Sequence, residues 1–380
     1  MTIRWPRSVA PDKALALGLA ASLLHLAICL TVLLHYHTGL ANYTDKGDGG
    51  SYKHMALAIL GDKSQMETYD TRVFVGYPIL IAAVHLVLRL PIAISALAVT
   101  FISAGAAATF ATLLFDDVRV GFATAFLLPH VWINQSLAMS EAPVLALTVA
   151  GLLLAHRRFA IAAGITLGMA ILTRPVAGFA LVALLVQLAG RQATNRDRLA
   201  RWRPLIVSVF AAAVVLAGLW LTQKITGGML ANLKQQADSP RTYGGQPFTW
   251  PFHALLSATF SRSTNFWHWL YIALHVVIAL GGCLLLLESN SDRDRLALPW
   301  LVGNTLFVLC VGSGSGGWGF NHFPRFMIPA LPPLAWAWRR FLPAPRSAVY
   351  KLSAIFGGWL MFFYGVVLFF MAVIEVHGCP

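Results

Sequence analysis

Charged side chains are scarce in this 380-residue chain, at 11% against 58% hydrophobic, so those that could do chemistry stand out. One polar stretch holds five carboxylates, Asp45, Asp48, Asp62, Glu67 and Asp70. It opens with Asp45-Lys46-Gly47-Asp48-Gly49-Gly50-Ser51-Tyr52 and runs through Arg72 to Gly76-Tyr77-Pro78. Carboxylates exchange protons, and arginines hold anions by charge-assisted hydrogen bonds. Further on, Glu141, Arg174-Pro175 and the pair His322 and Arg325 stand where apolar runs begin or end. Ionisable groups at membrane depth are costly and usually have a purpose.

The elements that would position these groups are apolar. A soluble protein carries roughly a quarter charged residues, and hydrophobic runs long enough to cross ~30 Å of hydrocarbon recur here. The composition therefore describes an all-α polytopic membrane protein. A transmembrane barrel would need short alternating segments, whereas these runs are continuous. A net charge of +13 invites a nucleic-acid reading, but the basic residues are scattered over short loops between apolar runs, where they set topology and touch lipid headgroups. The four cysteines show no paired spacing and read as small buried hydrophobes.

The first run, 14–36, follows Arg4, Arg7 and Lys13; it exceeds a signal-peptide core and reads as a retained span. Later runs fall at 73–88, 92–115, 120–135, 142–155, 159–172, 176–190, 204–223, 265–287, 297–313, 325–342 and 348–373. The run at 73–88 is short and contains Pro78 and His85. If it lies along the outer face without crossing, 17 of the 28 basic residues fall inside, including the arginines of 191–203. If it crosses, every later loop flips and the inside keeps only ten. The first arrangement predicts about eleven spans, a cytoplasmic N-terminus and an external C-terminus. The chain then reads as a single transmembrane domain: a first span at 14–36, an outer loop at 37–91, core spans over 92–223, a second outer loop at 224–264, and C-terminal spans over 265–380.

Within the first loop, Tyr52, Met55, Ala56, Ile59 and Leu60 repeat at helical spacing with Lys53 and His54 off that face, which predicts an amphipathic interfacial helix. Gln246 to Phe252 forms an aromatic, proline-rich strip suited to the headgroup level. The outer face thus collects the mixed charges, while the inner face offers Asp116-Asp117 and arginines without a comparable mixture. Asp48 before Gly49-Gly50 also suits a helix cap or turn, Asp70 a structural pair with Arg72, and Glu141 a helix start. His25, His85, His268 and His275, in apolar runs, read as packing residues.

In order and spacing, Asp48-Gly49-Gly50-Ser51-Tyr52, Arg72 with Gly76-Tyr77-Pro78, Pro129 with Ser140-Glu141, Leu172-Thr173-Arg174-Pro175, and Pro324-Arg325-Phe326 with Pro329 and Pro332 resemble GT-C superfamily glycosyltransferases. They resemble the bacterial protein-O-mannosyltransferase-like branch, which includes the lipid A aminoarabinose transferases. That resemblance implies a bacterial inner-membrane enzyme that moves a sugar from a polyprenyl-phosphate donor to a lipid, glycan or protein acceptor hydroxyl on the non-cytoplasmic face. It makes Asp48 the general base, with Asp45 the substitute. Arg72, Arg174, His322 and Arg325 become candidates for holding the leaving phosphate, Arg325 from a helix start. Tyr52, Tyr77 and Trp318 become candidates for lining the sugar or isoprenoid groove, and Glu141 for a place beside the phosphate. No cofactor or essential metal is expected beyond the lipid-linked sugar, and no nucleic-acid partner. Two other readings stand beside this one: a polysaccharide polymerase or ligase, and a secondary transporter, which would call for repeated halves and mid-membrane charges.

Overall fold

The computed structural model describes residues 9–35, 39–45, 48–126, 131, 135–192, 198–242, 250–253, 266–288, 291–310 and 323–341. Among these, every regular element is helical. Three helices are long and apolar enough to cross a membrane: Pro11–Leu34, Ile92–Phe115 and Trp202–Thr226. Shorter apolar helices, Gly76–Leu88, Glu141–His156, Ala160–Thr173, Pro175–Gly190 and Ile272–Leu287, fill the space around them. His322, Trp318, Pro129, most of the aromatic strip at 246–252 and the run at 348–373 lie outside the described residues.

In chain order the first elements are α1 (Pro11–His35), α2 (Leu40–Thr44), α3 (Gly49–Ile59), a 3-10 turn (Thr68–Arg72), α4 (Gly76–Leu88), α5 (Ile92–Phe115) and α6 (Val118–Phe126). Then come α7 (Glu141–His156), α8 (Ala160–Thr173), α9 (Gly178–Gln192), α10 (Arg198–Thr226) and α11 (Ala231–Thr242). The last are α12 (Phe266–Leu287), α13 (Asp292–Cys310), α14 (Phe323–Phe326) and α15 (Leu331–Trp338). Helix α1 runs antiparallel to α5: Ser22 Oγ donates to the Phe101 carbonyl (2.8 Å) and Thr109 Oγ1 to the Ala14 carbonyl (3.2 Å). The core is built from small and branched side chains of α5 to α10, α12, α13 and α15, around Phe115 and Trp300. Close backbone approach through small residues is how apolar helices pack where hydrophobicity alone gives no preference between protein and lipid.

Helix α5 has 24 residues, about 36 Å at 1.5 Å per residue, and a polar network sits at each of its ends. Near its start, Tyr77 OH donates to the Ala96 carbonyl (2.9 Å) and packs on Tyr52. Beyond its end, Asp116 Oδ1 accepts from the Val9 N–H (3.0 Å) and Asp116 Oδ2 pairs with Arg293 (3.4 Å). This second network joins the Asp116-Asp117 pair and the arginines read from the sequence to a further carboxylate. Asp117 grips Arg119 (2.7 Å), while the buried Asp294 accepts from Trp336 Nε1 (2.8 Å) and Ser291 and lies 3.5 Å from Arg339. The missed residue is Asp294, one turn into a helix whose apolar continuation masks it in the sequence.

Two expectations change. Helix α3 begins at Gly49 and does not lie with one face outward: Tyr52, Met55 and Ala56 enter a core with Val73, Tyr77, Ile81 and Leu97. Its opposite side is covered too, because Lys53 Nζ turns inward to Thr44 Oγ1 (2.8 Å) and Asp45 (2.6 Å). The run at 325–342 is not one helix. Pro324, Pro329, Pro332 and Pro333 remove backbone donors and split it into α14, a 3-10 turn at Ile328–Ala330, and α15. Arg325 therefore sits within a single four-residue turn, not at a helix start with a row of free N–H groups.

Candidate functional site

The site forms where five segments meet at one end of the bundle. Asp48 occupies the N-cap position of α3, yet its side chain makes no capping bond. A carboxylate there would ordinarily bond a first-turn N–H, worth about 1 kcal/mol. Asp48 instead turns to two arginines from distant segments. Arg72 Nη2 donates to Oδ1 (2.7 Å) and Arg325 Nη2 donates to Oδ2 (2.8 Å).

Arg72 is delivered by the 3-10 turn at Thr68–Arg72. Asp70 closes that turn: Oδ2 accepts from the Glu67 N–H (2.9 Å) and lies 2.9 Å from His54 Nδ1. The expected Asp70–Arg72 pair is therefore absent, because the turn's own capping demand takes Asp70 first. The Arg72 guanidinium lies 3.2 Å over the Tyr69 ring. Its backbone is held from α11, where Gln236 Nε2 donates to the Arg72 carbonyl (3.0 Å) and Asn232 Nδ2 to the Val73 carbonyl (3.1 Å). Residues four apart share a helix face, so that spacing was a legible signal without a legible target.

Glu141, the first residue of α7, is fully buried and forms the hub. Its Oε1 accepts from Arg174 Nη2 (2.6 Å) and from Arg325 Nε (2.5 Å). Ser140 Oγ accepts from Arg174 Nε (2.8 Å) and from Tyr52 OH (2.7 Å). Arg174 follows the last residue of α8 in extended backbone, with Pro175 starting a 3-10 turn, so its side chain is turned back onto α7. Gly76 makes the junction possible, since a Cβ there would collide with the Leu172-Thr173 backbone. Likewise Gly49 has no room for a Cβ against the Thr44 carbonyl.

Asp48, Arg72, Glu141, Arg174 and Arg325 thus converge, with Tyr52 joined to them through Ser140. Asp45 does not: it pairs with Lys53 and belongs to the α2–α3 junction. Tyr77 is completely buried, with its hydroxyl on Ala96 and Thr100 (2.8 Å) and its ring edge-on to Tyr52 at 4.9 Å. Both tyrosines are buried and brace the site from behind, with no ring face open to a ligand. Ser140, Tyr69, Asn232 and Gln236 are the supporting residues that sequence reasoning did not assign to the site.

Electrostatically the site holds three guanidiniums against two carboxylates. Burial would raise the Asp48 carboxyl, but the charges and hydrogen bonds of Arg325 and Arg72 prevail and hold it well below the usual carboxylate range. Burial, with the Asp48 and Glu141 charges, pushes the Tyr52 hydroxyl up to about 12 against the opposing pull of Arg174, so it stays protonated and donates to Ser140. Among the described residues no three His, Cys, Asp or Glu side chains converge in a way that could hold a metal ion. What the arrangement offers is a carboxylate beside an excess of arginine donors, suited to proton exchange next to a bound anion.

No protein-family model matches this chain, and no curated protein matches it.

Proposed function

We propose that the protein is a multi-pass membrane glycosyltransferase. It would take a sugar from a polyprenyl-phosphate donor and attach it to a hydroxyl of a lipid, glycan or protein acceptor on the non-cytoplasmic face of a bacterial inner membrane. The observation that carries this reading is the convergence of Asp48, Arg72, Arg174 and Arg325 from segments up to 277 residues apart. These are residues to which the resemblance to GT-C enzymes gives the roles of base and phosphate ligands.

In this mechanism the acceptor oxygen attacks the anomeric carbon, and Asp48 takes the hydroxyl proton as the new C–O bond forms. The bond from the anomeric carbon to the phosphate oxygen breaks, and the phosphate leaves with the electron pair. Guanidiniums stabilise the charge gathering on it, most effectively in a site shielded from water. The pairing of Asp48 with Arg325, and of Val9 with Asp116 at the far end of α5, also supports the topology in which 73–88 does not cross. Were that segment to cross, the partners in each pair would lie on opposite sides of the membrane.

The test is transfer by purified protein in lipid vesicles from a panel of polyprenyl-phosphate sugars, with the products followed by mass analysis. Asp48→Asn is expected to insert and fold but lose transfer by at least a hundredfold, in keeping with the contribution of a general base. Transfer near the wild-type rate in Asp48→Asn, and in the variant that also carries Asp45→Asn, refutes the mechanism.

A further inference from the structure

The arginines of the site are not equivalent. Arg174 is committed to fixed partners: Nε on Ser140 Oγ and Nη2 on Glu141 Oε1. Glu141 is fully buried, and its Oε1 also holds Arg325 through Nε, while its Oε2 has no hydrogen-bond partner. That second oxygen leaves the hub a spare acceptor if a guanidinium turns. Arg72 and Arg325 meet instead over Asp48, whose side chain is the most exposed of the group at 26%. The two guanidiniums address different oxygens of that carboxylate, 2.7 and 2.8 Å away. The phosphodiester of a lipid-linked sugar carries one negative charge, as the carboxylate does, and presents two free oxygens to such donors; the lipid phosphate monoester that leaves presents three.

We propose that Arg72 and Arg325 form the phosphate seat, that the Asp48 carboxylate occupies this seat as a resident counter-ion, and that an incoming lipid phosphate displaces it. Glu141 and Arg174 are positioning residues that hold the frame while Arg325 changes partner. The proposal rests on the phosphate-linked donor of the glycosyltransferase reading and adds an order of events. While two guanidiniums hold Asp48, it is a poor proton acceptor, which its lowered carboxyl pKa also reflects. Displacement both seats the donor and frees the base, so the donor binds before proton transfer to Asp48 can begin. The excess of one guanidinium over the carboxylates matches the need to accept a further anion.

The experiment uses the full chain in nanodiscs and farnesyl phosphate as probe. Binding to wild type, Asp48→Asn and Asp48→Ala is measured by titration calorimetry, with thermal melts to verify folding. Removal of the competing carboxylate is expected to tighten binding about tenfold in both variants, equivalent to about 1.4 kcal/mol. A second measurement needs no variant. Labelling of Asp48 by dicyclohexylcarbodiimide, read by peptide mass spectrometry, is expected to rise severalfold when farnesyl phosphate is present, because the released carboxyl protonates more readily. Binding that is unchanged or weaker in the variants, or labelling that does not rise, overturns the displacement while leaving the phosphate-linked donor in place. No binding to any of the three proteins overturns both readings.

Discussion

Replacing Glu141 by glutamine tests whether this carboxylate is the hub of the site. Its side chain is completely buried, and one oxygen holds two guanidiniums at 2.6 and 2.5 Å. Glutamine keeps the shape and an acceptor oxygen but removes the charge that offsets Arg174 and Arg325. Breaking a buried ion pair by neutralising one partner costs about 3–5 kcal/mol, because the remaining charge is left uncompensated. One kcal/mol moves the Tm of a 150–250-residue domain by roughly 2–4 °C; scaled to this longer chain, the loss should be on the order of 5 °C. The assay is denaturation in detergent micelles at fixed scan rate, with Arg174→Gln and the double variant completing a cycle. Removing Arg174 relieves part of the repulsion that Glu141→Gln creates, so a coupling of about 1–3 kcal/mol is expected. Effects that simply add, to within about 0.5 kcal/mol, would refute the hub.

Other perturbations separate the remaining contacts. Gln236→Ala, which frees the Arg72 carbonyl from α11, should lower kcat/KM roughly three- to tenfold with little change in Tm, a hydrogen bond of this kind being worth about 1 kcal/mol; an unchanged kcat/KM shows that α11 does not position Arg72. Stability should also respond to acid. The Asp48 carboxyl is lowered in the folded protein, so its contribution is complete above the unfolded value of about 3.9 and is lost as pH falls below that. Melts from pH 7 to pH 3 should show a decline below about pH 4 that is shallower in Asp48→Asn; identical profiles would refute the pairing. Gly76→Ala should prevent accumulation of folded protein, since the added methyl meets the Leu172-Thr173 backbone; near-normal yield on size exclusion would show that the junction can open.

How far the chain could be read without coordinates depended on the range of each interaction. The run at 92–115 coincides with α5, and 142–155 and 159–172 fall within a residue or two of α7 and α8, because apolar length and breaking residues are local properties. Glu141, Arg174 and Arg325 were legible as charges at the ends of apolar runs, and Asp48 through the family resemblance. Partner choice was not legible. Asp70, two residues from Arg72, looked like its partner, but a turn cap claims Asp70, and Arg72 reaches 24 residues back to Asp48. Tyr77 lies beside a polar stretch in sequence, yet the helix that carries it packs inward. Lys53 is at once polar and buried because Thr44 and Asp45 are folded over it, a contact that a helical period alone reverses in sense.

The unused cap of α3 has a consequence for how freely Asp48 can move. A carboxylate drawn off two guanidiniums normally has to recover its solvation from water or stay stranded. Asp48 has no way round this in its present backbone. At φ −87° and ψ 2° it is off the extended conformation from which an N-cap side chain bonds the first-turn N–H groups. Its anchorage lies across the site, so release from the guanidiniums has to be matched by water or by an incoming hydroxyl that takes up the freed oxygens.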